Sequence, residues 1–154
     1  MIIGLNHITL AVADLGRSLA FYRDLLGFSV KMHGVSSAYL EAGTLWLALV
    51  EDAAVRRTPL PEYTHIAFSA GETELSVATQ RLRLAGVTCW QVSGRADSFY
   101  FLDPDGHKLE LHTGDLRRRM RERADVEAHA EQNRSTGAGD SILVPDRAPG
   151  EPGL

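Results

Sequence analysis

Two histidines and one glutamate, far apart in the chain, are the residues with the most chemistry to offer. His7 stands in Asn6-His7-Ile8-Thr9-Leu10-Ala11-Val12, His65 in Thr64-His65-Ile66-Ala67-Phe68-Ser69-Ala70, and Glu110 in Lys108-Leu109-Glu110-Leu111-His112. In an extended strand, side chains 108, 110 and 112 share one face while 109 and 111 share the other. With the two leucines in a core, Glu110 points into whatever space the sheet encloses. An isolated carboxylate there is strongly penalised unless a cation holds it. A His, His, Glu set suits a divalent transition metal that keeps positions open for substrate and water. Taken singly, each residue also has a plainer reading: a hydrogen-bonded strand histidine, or a glutamate at the rim of a sheet. Two histidines at equivalent places favour the metal. His33, His107, His112 and His129 lack that support and read as surface or turn residues, with His112 alone sharing the Glu110 face.

The equivalence comes from an internal repeat. The two His-Ile strands are each followed by a helical stripe: Asp14 as N-cap, then Leu15, Leu19, Tyr22 and Leu26 up to Gly27; and Leu75, Ala78 or Thr79, Leu82 and Ala85 up to Gly86. Strand-like segments come next, at 29–32, 38–41 and 45–50 in the first half and 88–92, 98–102 and 108–111 in the second. Each half reads βαβββ. The fold class is therefore α+β, with paired βαβββ modules whose open faces form a cup-shaped sheet, the usual architecture of a small-molecule site. The modules span 1–57 and 58–114. Asp103-Pro104-Asp105-Gly106 reads as a turn whose charges are structural. Asp115 caps a helix over 115–132, whose arginines leave little apolar stripe, and the Gly-, Pro- and Ser-rich stretch 133–154 reads as a flexible tail.

Composition narrows the function. A chain of 154 residues, 44% hydrophobic, is long enough for a real core. A net charge of −4 with no extended basic stripe argues against nucleic acid, and no apolar run reaches the length of a membrane span. One cysteine, Cys89, cannot form an intrachain disulfide, and the N-terminus lacks the order of a signal peptide. The expectation is a cytoplasmic protein acting on small molecules.

The stretches Gly4 to Val12, Phe21-Tyr22-Arg23-Asp24-Leu25-Leu26-Gly27, Tyr63-Thr64-His65 and Phe99 to Glu110 resemble the vicinal oxygen chelate superfamily (glyoxalases, bleomycin resistance proteins and dioxygenases). More narrowly they resemble its fosfomycin resistance thiol transferases, over roughly residues 1 to 120. The resemblance implies a homodimer in which His7 of one chain and His65 and Glu110 of the other hold Mn²⁺, or another divalent metal such as Mg²⁺. The reaction it implies is addition of a low-molecular-weight thiol, glutathione or another, to the epoxide of fosfomycin. It assigns Thr9 to substrate contact and catalysis, Tyr39 to the thiol side of the site, Trp46 and Tyr63 to substrate-facing positions, and Ser98, Tyr100 and Arg119 to the phosphonate. For Tyr39, Trp46 and Tyr100 the alternative is core or cross-strand packing.

Departures from the family pattern bear on the thiol. Members that use glutathione carry a lysine where this chain has Trp90, a tryptophan where it has Gly34, and an Asn-Arg-Ser-Glu-Gly loop that binds K⁺ where it reads Val92-Ser93-Gly94-Arg95-Ala96. Arg95 places a positive charge in that loop instead. The branch that uses bacillithiol has a cysteine where this chain has Thr9. A sister branch that hydrates fosfomycin uses a carboxylate base where this chain has Ser37. A glyoxalase-type isomerase would need a second inward carboxylate near Trp46 to Ala48, where Leu47 and Ala48 offer none. A ring-cleaving dioxygenase would not need the phosphonate set. The remaining alternative is a metal-free drug-sequestering protein of bleomycin resistance type.

Overall fold

Asp14 and Gly27 bracket the first helix. Asp14, in extended backbone, accepts the Arg17 N–H on Oδ1 at 2.7 Å, and Gly27, at φ +80°, ends the helical run with a conformation that a side chain would resist. Between them Leu15–Ala20 (α1) continues into a π-helical turn, Phe21–Leu25. The wider turn shifts the stripe so that the adjacent rings of Phe21 and Tyr22 are both buried. The second helix, Glu72–Leu84 (α2), buries Leu75 and Leu82. The computed structural model describes residues 1–135.

The strands form two sheets in an α+β fold. His7–Val12 (β1), Ser29–His33 (β2), Ser37–Ala42 (β3) and Leu45–Glu51 (β4) make a four-stranded sheet in the order β1-β4-β3-β2. Ile66–Ser69 (β5), Ser98–Leu102 (β6) and Lys108–His112 (β7) make a three-stranded sheet in the order β5-β7-β6. In both, the first strand lies at an edge and runs parallel to the last. The strand expected at 88–92 is reduced to a bridge between Gln91 and Tyr100 and one bond from Leu102 N–H to Thr88 O at 2.9 Å. These two pairings are one residue out of register, so no ladder propagates. Side chains hold the segment in its irregular path: the Trp90 indole N–H donates to Leu109 O at 3.1 Å and the Cys89 thiol to Gln91 O at 2.9 Å.

One core joins the two halves. Leu10, Val12, Leu47 and Leu49 from the first sheet pack with Phe68, Phe99, Phe101, Leu109 and Leu111 from the second, with Phe28 edge-on to Phe68 at 5.4 Å and Phe21 near Phe101 at 6.2 Å between ring centroids. The turn at 103–106 clasps this joint. Asp105 Oδ1 accepts the Ala13 N–H at 3.2 Å and an Arg17 guanidinium N–H, and Oδ2 accepts the Ser18 hydroxyl at 3.3 Å. His107, read from the sequence as a surface or turn residue, directly follows the turn and is buried: Nε2–H donates to Ala11 O at 2.8 Å while Nδ1 accepts from Arg56 at 2.8 Å. Gly106, at φ +83°, sits so close to the 58–59 backbone that an added Cβ would lie 3.0 Å from Pro59 N.

The last helix, Leu116–Ser135 (α3), starts after Asp115, whose Oδ1 accepts the Arg118 N–H at 2.8 Å. It runs three residues past the expected end at Gln132, and Arg134 Nε donates to Ala130 O at 3.3 Å in its last turn. The flexible tail expected over 133–154 falls, from residue 136 onward, outside the described residues. Among the described residues no helix is long and apolar enough to cross a membrane.

Candidate active site

Alternation on β7 sends Leu109 and Leu111 into the core and Glu110 to the opposite face, where register aligns it with Ala67 on β5 and Tyr100 on β6. His65 directly precedes β5 and shares that face. Its Nδ1–H donates to the Tyr63 carbonyl at 3.0 Å, which turns Nε2 toward Glu110 Oε2 at 2.9 Å. A backbone carbonyl and a carboxylate are both acceptors, so the surroundings favour the charged imidazole. The Glu110 hydrogen bond accordingly raises the His65 pKa, against the opposing effect of burial. Burial drives the Glu110 carboxyl upward, but hydrogen bonds from His65 and Ser98 and the nearby imidazoles outweigh it and hold the group below its ordinary value.

An aromatic wall surrounds the pair. Tyr63, Trp90 and Tyr100 lie 5.1, 5.8 and 5.8 Å from the His65 ring, and Trp90 meets Tyr63 and Tyr100 edge-on at 5.7 and 5.2 Å. Lys108 Nζ sits 4.9 Å over the Trp90 ring. Sequence reasoning missed Trp90 as a lining residue, because it belongs to the segment read as an ordinary strand. Burial, with Tyr63 and Glu110 adding to it, raises the Tyr100 hydroxyl, which stays a neutral donor. Beside it, Ser98 Oγ lies 2.8 Å from His112 Nδ1 and 3.4 Å from Asp97 Oδ1. His112 borders a crevice that it shares with Asp97, Thr113 and the exposed Arg119. A groove of about 500 Å³ between α2 and the 89–96 segment also reaches Ser98 and Tyr100.

The first sheet carries a separate group. Register places His7 beside Trp46, and Thr9 beside Ala48, which in turn pairs with Tyr39. The His7 ring lies 4.5 Å from Trp46, and Trp46 meets Tyr39 edge-on at 5.2 Å. His7 Nδ1–H donates to Asn6 Oδ1 at 2.7 Å, which leaves Nε2 available. His7 and Thr9 are exposed, and Tyr39 and Trp46 are 39% and 38% exposed, so this face is open. His65 and Glu110 thus meet, while His7 lies on the other sheet; among the described residues no cluster of three or more His, Cys, Asp or Glu side chains is poised around one point. The donors present still fit a divalent ion: an imidazole fixed through Nδ1 by a carbonyl, with Nε2 beside a carboxylate oxygen, is the usual arrangement of such ligands.

Comparison with known proteins gives a consistent set of relatives. The family model described as Glyoxalase/Bleomycin resistance protein/Dioxygenase superfamily matches residues 4–111. The glutathione transferase FosA of Serratia marcescens is 48% identical over 123 residues, covering 78% of this chain and 87% of that protein. The metallothiol transferase FosB of Staphylococcus epidermidis is 39% identical over 134 residues, covering 84% and 96%. Among solved structures, a variant of the fosfomycin resistance protein FosX from Listeria monocytogenes, complexed with Mn(II) and 1S,2S-dihydroxypropylphosphonic acid, superposes with a TM-score of 0.66 at 30% identity, covering 79% of this chain and 99% of that one.

Proposed function

The chain belongs to the Glyoxalase/Bleomycin resistance protein/Dioxygenase superfamily, among its fosfomycin resistance proteins, and from that premise we propose that it is a metal-dependent transferase adding a small thiol to the epoxide of fosfomycin. The observation that carries the proposal is the 2.9 Å approach of His65 Nε2 to Glu110 Oε2, with His65 Nδ1 fixed on the Tyr63 carbonyl. That geometry presents one nitrogen and one oxygen to a common point. The histidine-bearing strands β1 and β5 both lie at sheet edges, and edges call for cover. A homodimer that sets the His7 face of one protomer against the Glu110 face of the other completes a His, His, Glu set. Mn²⁺, or another divalent ion such as Mg²⁺, bound there supplies a Lewis acid for the epoxide oxygen.

The chain's own residues do the rest. Ser98 and the neutral Tyr100 hydroxyl offer donors to a phosphonate, and Arg119 offers a guanidinium fork from α3. Thr9 and Tyr39 share the His7 face, where they orient substrate and thiol, and Trp46 and Trp90 supply apolar walls that exclude water from the reacting carbon. Arg95 carries the positive charge in the 92–96 loop, already held by Asp97 and Glu122, so the reading gives K⁺ no required part.

Desolvation of Glu110 does not by itself decide against the metal-free sequestering alternative, since the His65 imidazole, 2.9 Å away, can partner the carboxylate. The metal reading rests instead on the donor geometry and on the metallothiol relative. The deciding experiment incubates the protein with Mn²⁺ and fosfomycin, together with glutathione, cysteine, bacillithiol or no thiol, and reads products by mass spectrometry. A thiol adduct whose formation stops on chelation is expected. Diol from water alone would replace the proposal with hydration, and drug bound without any product would replace it with sequestration.

A further inference from the structure

Helix α3 has almost no apolar seat. Over 116–132 only Arg118, Glu122 and Ala130 are half-buried, and its first apolar residues, Leu116 and Met120, are 76% and 58% exposed. Polar groups hold its N-terminal half. Glu122 accepts Arg118 Nε on Oε1 at 3.0 Å and an Arg95 guanidinium N–H on Oε2. Arg95 in turn grips both oxygens of Asp97, with Nε at 3.1 Å from each and Nη2 at 2.8 Å from Oδ2. Asp97 is anchored: its side chain is 10% exposed, its carbonyl accepts the Thr113 N–H at 2.9 Å, and the next residue is Ser98. The Arg95 hydrogen bonds hold both the Asp97 and Glu122 carboxyls below their ordinary values.

We propose that Arg95 is a positioning residue: its fork closes on Asp97 and Glu122 and fixes α3 so that Arg119 stays over the crevice beside Ser98 and His112. The inference rests on the anion-binding role given to Arg119 above. Exposed ion pairs taken singly contribute little. Here the contact is bidentate, and it ties the N-terminal half of α3 to Asp97, which directly precedes β6 of the second sheet. A lysine at 95 would supply charge without the fork that spans two carboxylates.

The test uses the full chain loaded with Mn²⁺. Arg95→Ala should raise KM for fosfomycin about 10- to 100-fold, leave KM for the thiol within about twofold, and speed amide hydrogen exchange over 116–123. Glu122→Gln should act in the same direction, and Arg95→Lys should recover only part of the loss. Arg119→Ala should raise KM for fosfomycin to a similar extent, and the Arg95→Ala/Arg119→Ala double variant should be little worse than either single one. Unchanged exchange in Arg95→Ala, or effects of the two substitutions that multiply, would overturn the inference. A raised KM in Arg119→Ala beside a silent Arg95→Ala removes only the role of Arg95. An unaltered KM in Arg119→Ala removes the anion-site assignment itself, and the role of Arg95 with it.

Discussion

Tyr22 donates its hydroxyl to Asp103 Oδ2 at 2.9 Å, with both groups buried and 81 positions apart in the chain. The other oxygen of Asp103 accepts the Asp105 and His107 N–H groups at 3.0 and 2.8 Å. One carboxylate therefore holds its own turn and the first helix together. Tyr22→Phe keeps the ring in the core and strips the donor from a buried acceptor. The expected cost is about 1–3 kcal/mol in unfolding free energy by urea titration; an unmoved midpoint would show the clasp to be inert.

The same hydroxyl gives a signature in alkali. Burial, followed by the charge and hydrogen bond of Asp103, raises the Tyr22 pKa well above its ordinary value. A group whose folded pKa is raised contributes stability that is complete below its unfolded pKa, about 10 here, and declines as pH rises beyond it. In that range the unfolded chain releases a proton that the folded one keeps. Stability of the wild type should thus fall above about pH 10 more steeply than that of Tyr22→Phe, and the gap between them should narrow. Parallel curves in a pH series of urea titrations would refute this.

Asp105 is the second arm of the clasp. Its side chain is 3% exposed and serves Ala13 N–H, the Ser18 hydroxyl and Arg17. Asp105→Ala leaves a backbone donor and a buried hydroxyl without their acceptor, and about 2–4 kcal/mol of stability should be lost. Asp105→Asn, which keeps one acceptor oxygen, should lose less. Arg17→Ala removes a partner that is 48% exposed and should cost less than about 1 kcal/mol. Denaturant midpoints in the order Arg17→Ala, Asp105→Asn, Asp105→Ala, from highest to lowest, check the ranking.

These contacts mark where the sequence stops being readable. Strand alternation was enough to aim Glu110 away from Leu109 and Leu111, and the helical stripes ending at Gly27 and Gly86 were visible because both signals are local. The turn at 103–106 was legible as a turn but not as a clasp, since its partners Ala13, Ser18 and Tyr22 lie about ninety positions away. The segment at 88–92 has the composition of a strand, yet the bonds of Trp90 and Cys89 to carbonyls break its ladder. The charge of Arg95 is legible in the sequence, while its two carboxylate partners depend on how α3 meets the second sheet. The meeting of His65 with Glu110 follows from β5 and β7 being neighbours, which no local signal encodes; the repeat and the family resemblance pointed to it.

The separation of His7 from His65 and Glu110 onto different sheets yields the most direct test of a site shared between protomers. If one imidazole comes from each chain, His7→Ala and His65→Ala homodimers should each lose adduct formation by at least about 100-fold, having lost a ligand. Mixed dimers behave differently. In a dimer of one His7→Ala chain and one His65→Ala chain, one site has lost both histidines and the other has kept both. With random pairing half of the dimers are mixed, so co-refolding equal amounts of the two inactive proteins should restore about a quarter of wild-type activity. Mn²⁺ binding measured calorimetrically on the same mixture should recover in parallel. A mixture no more active than its components, in protein shown to have exchanged subunits, would mean that His7 does not complete a partner's site.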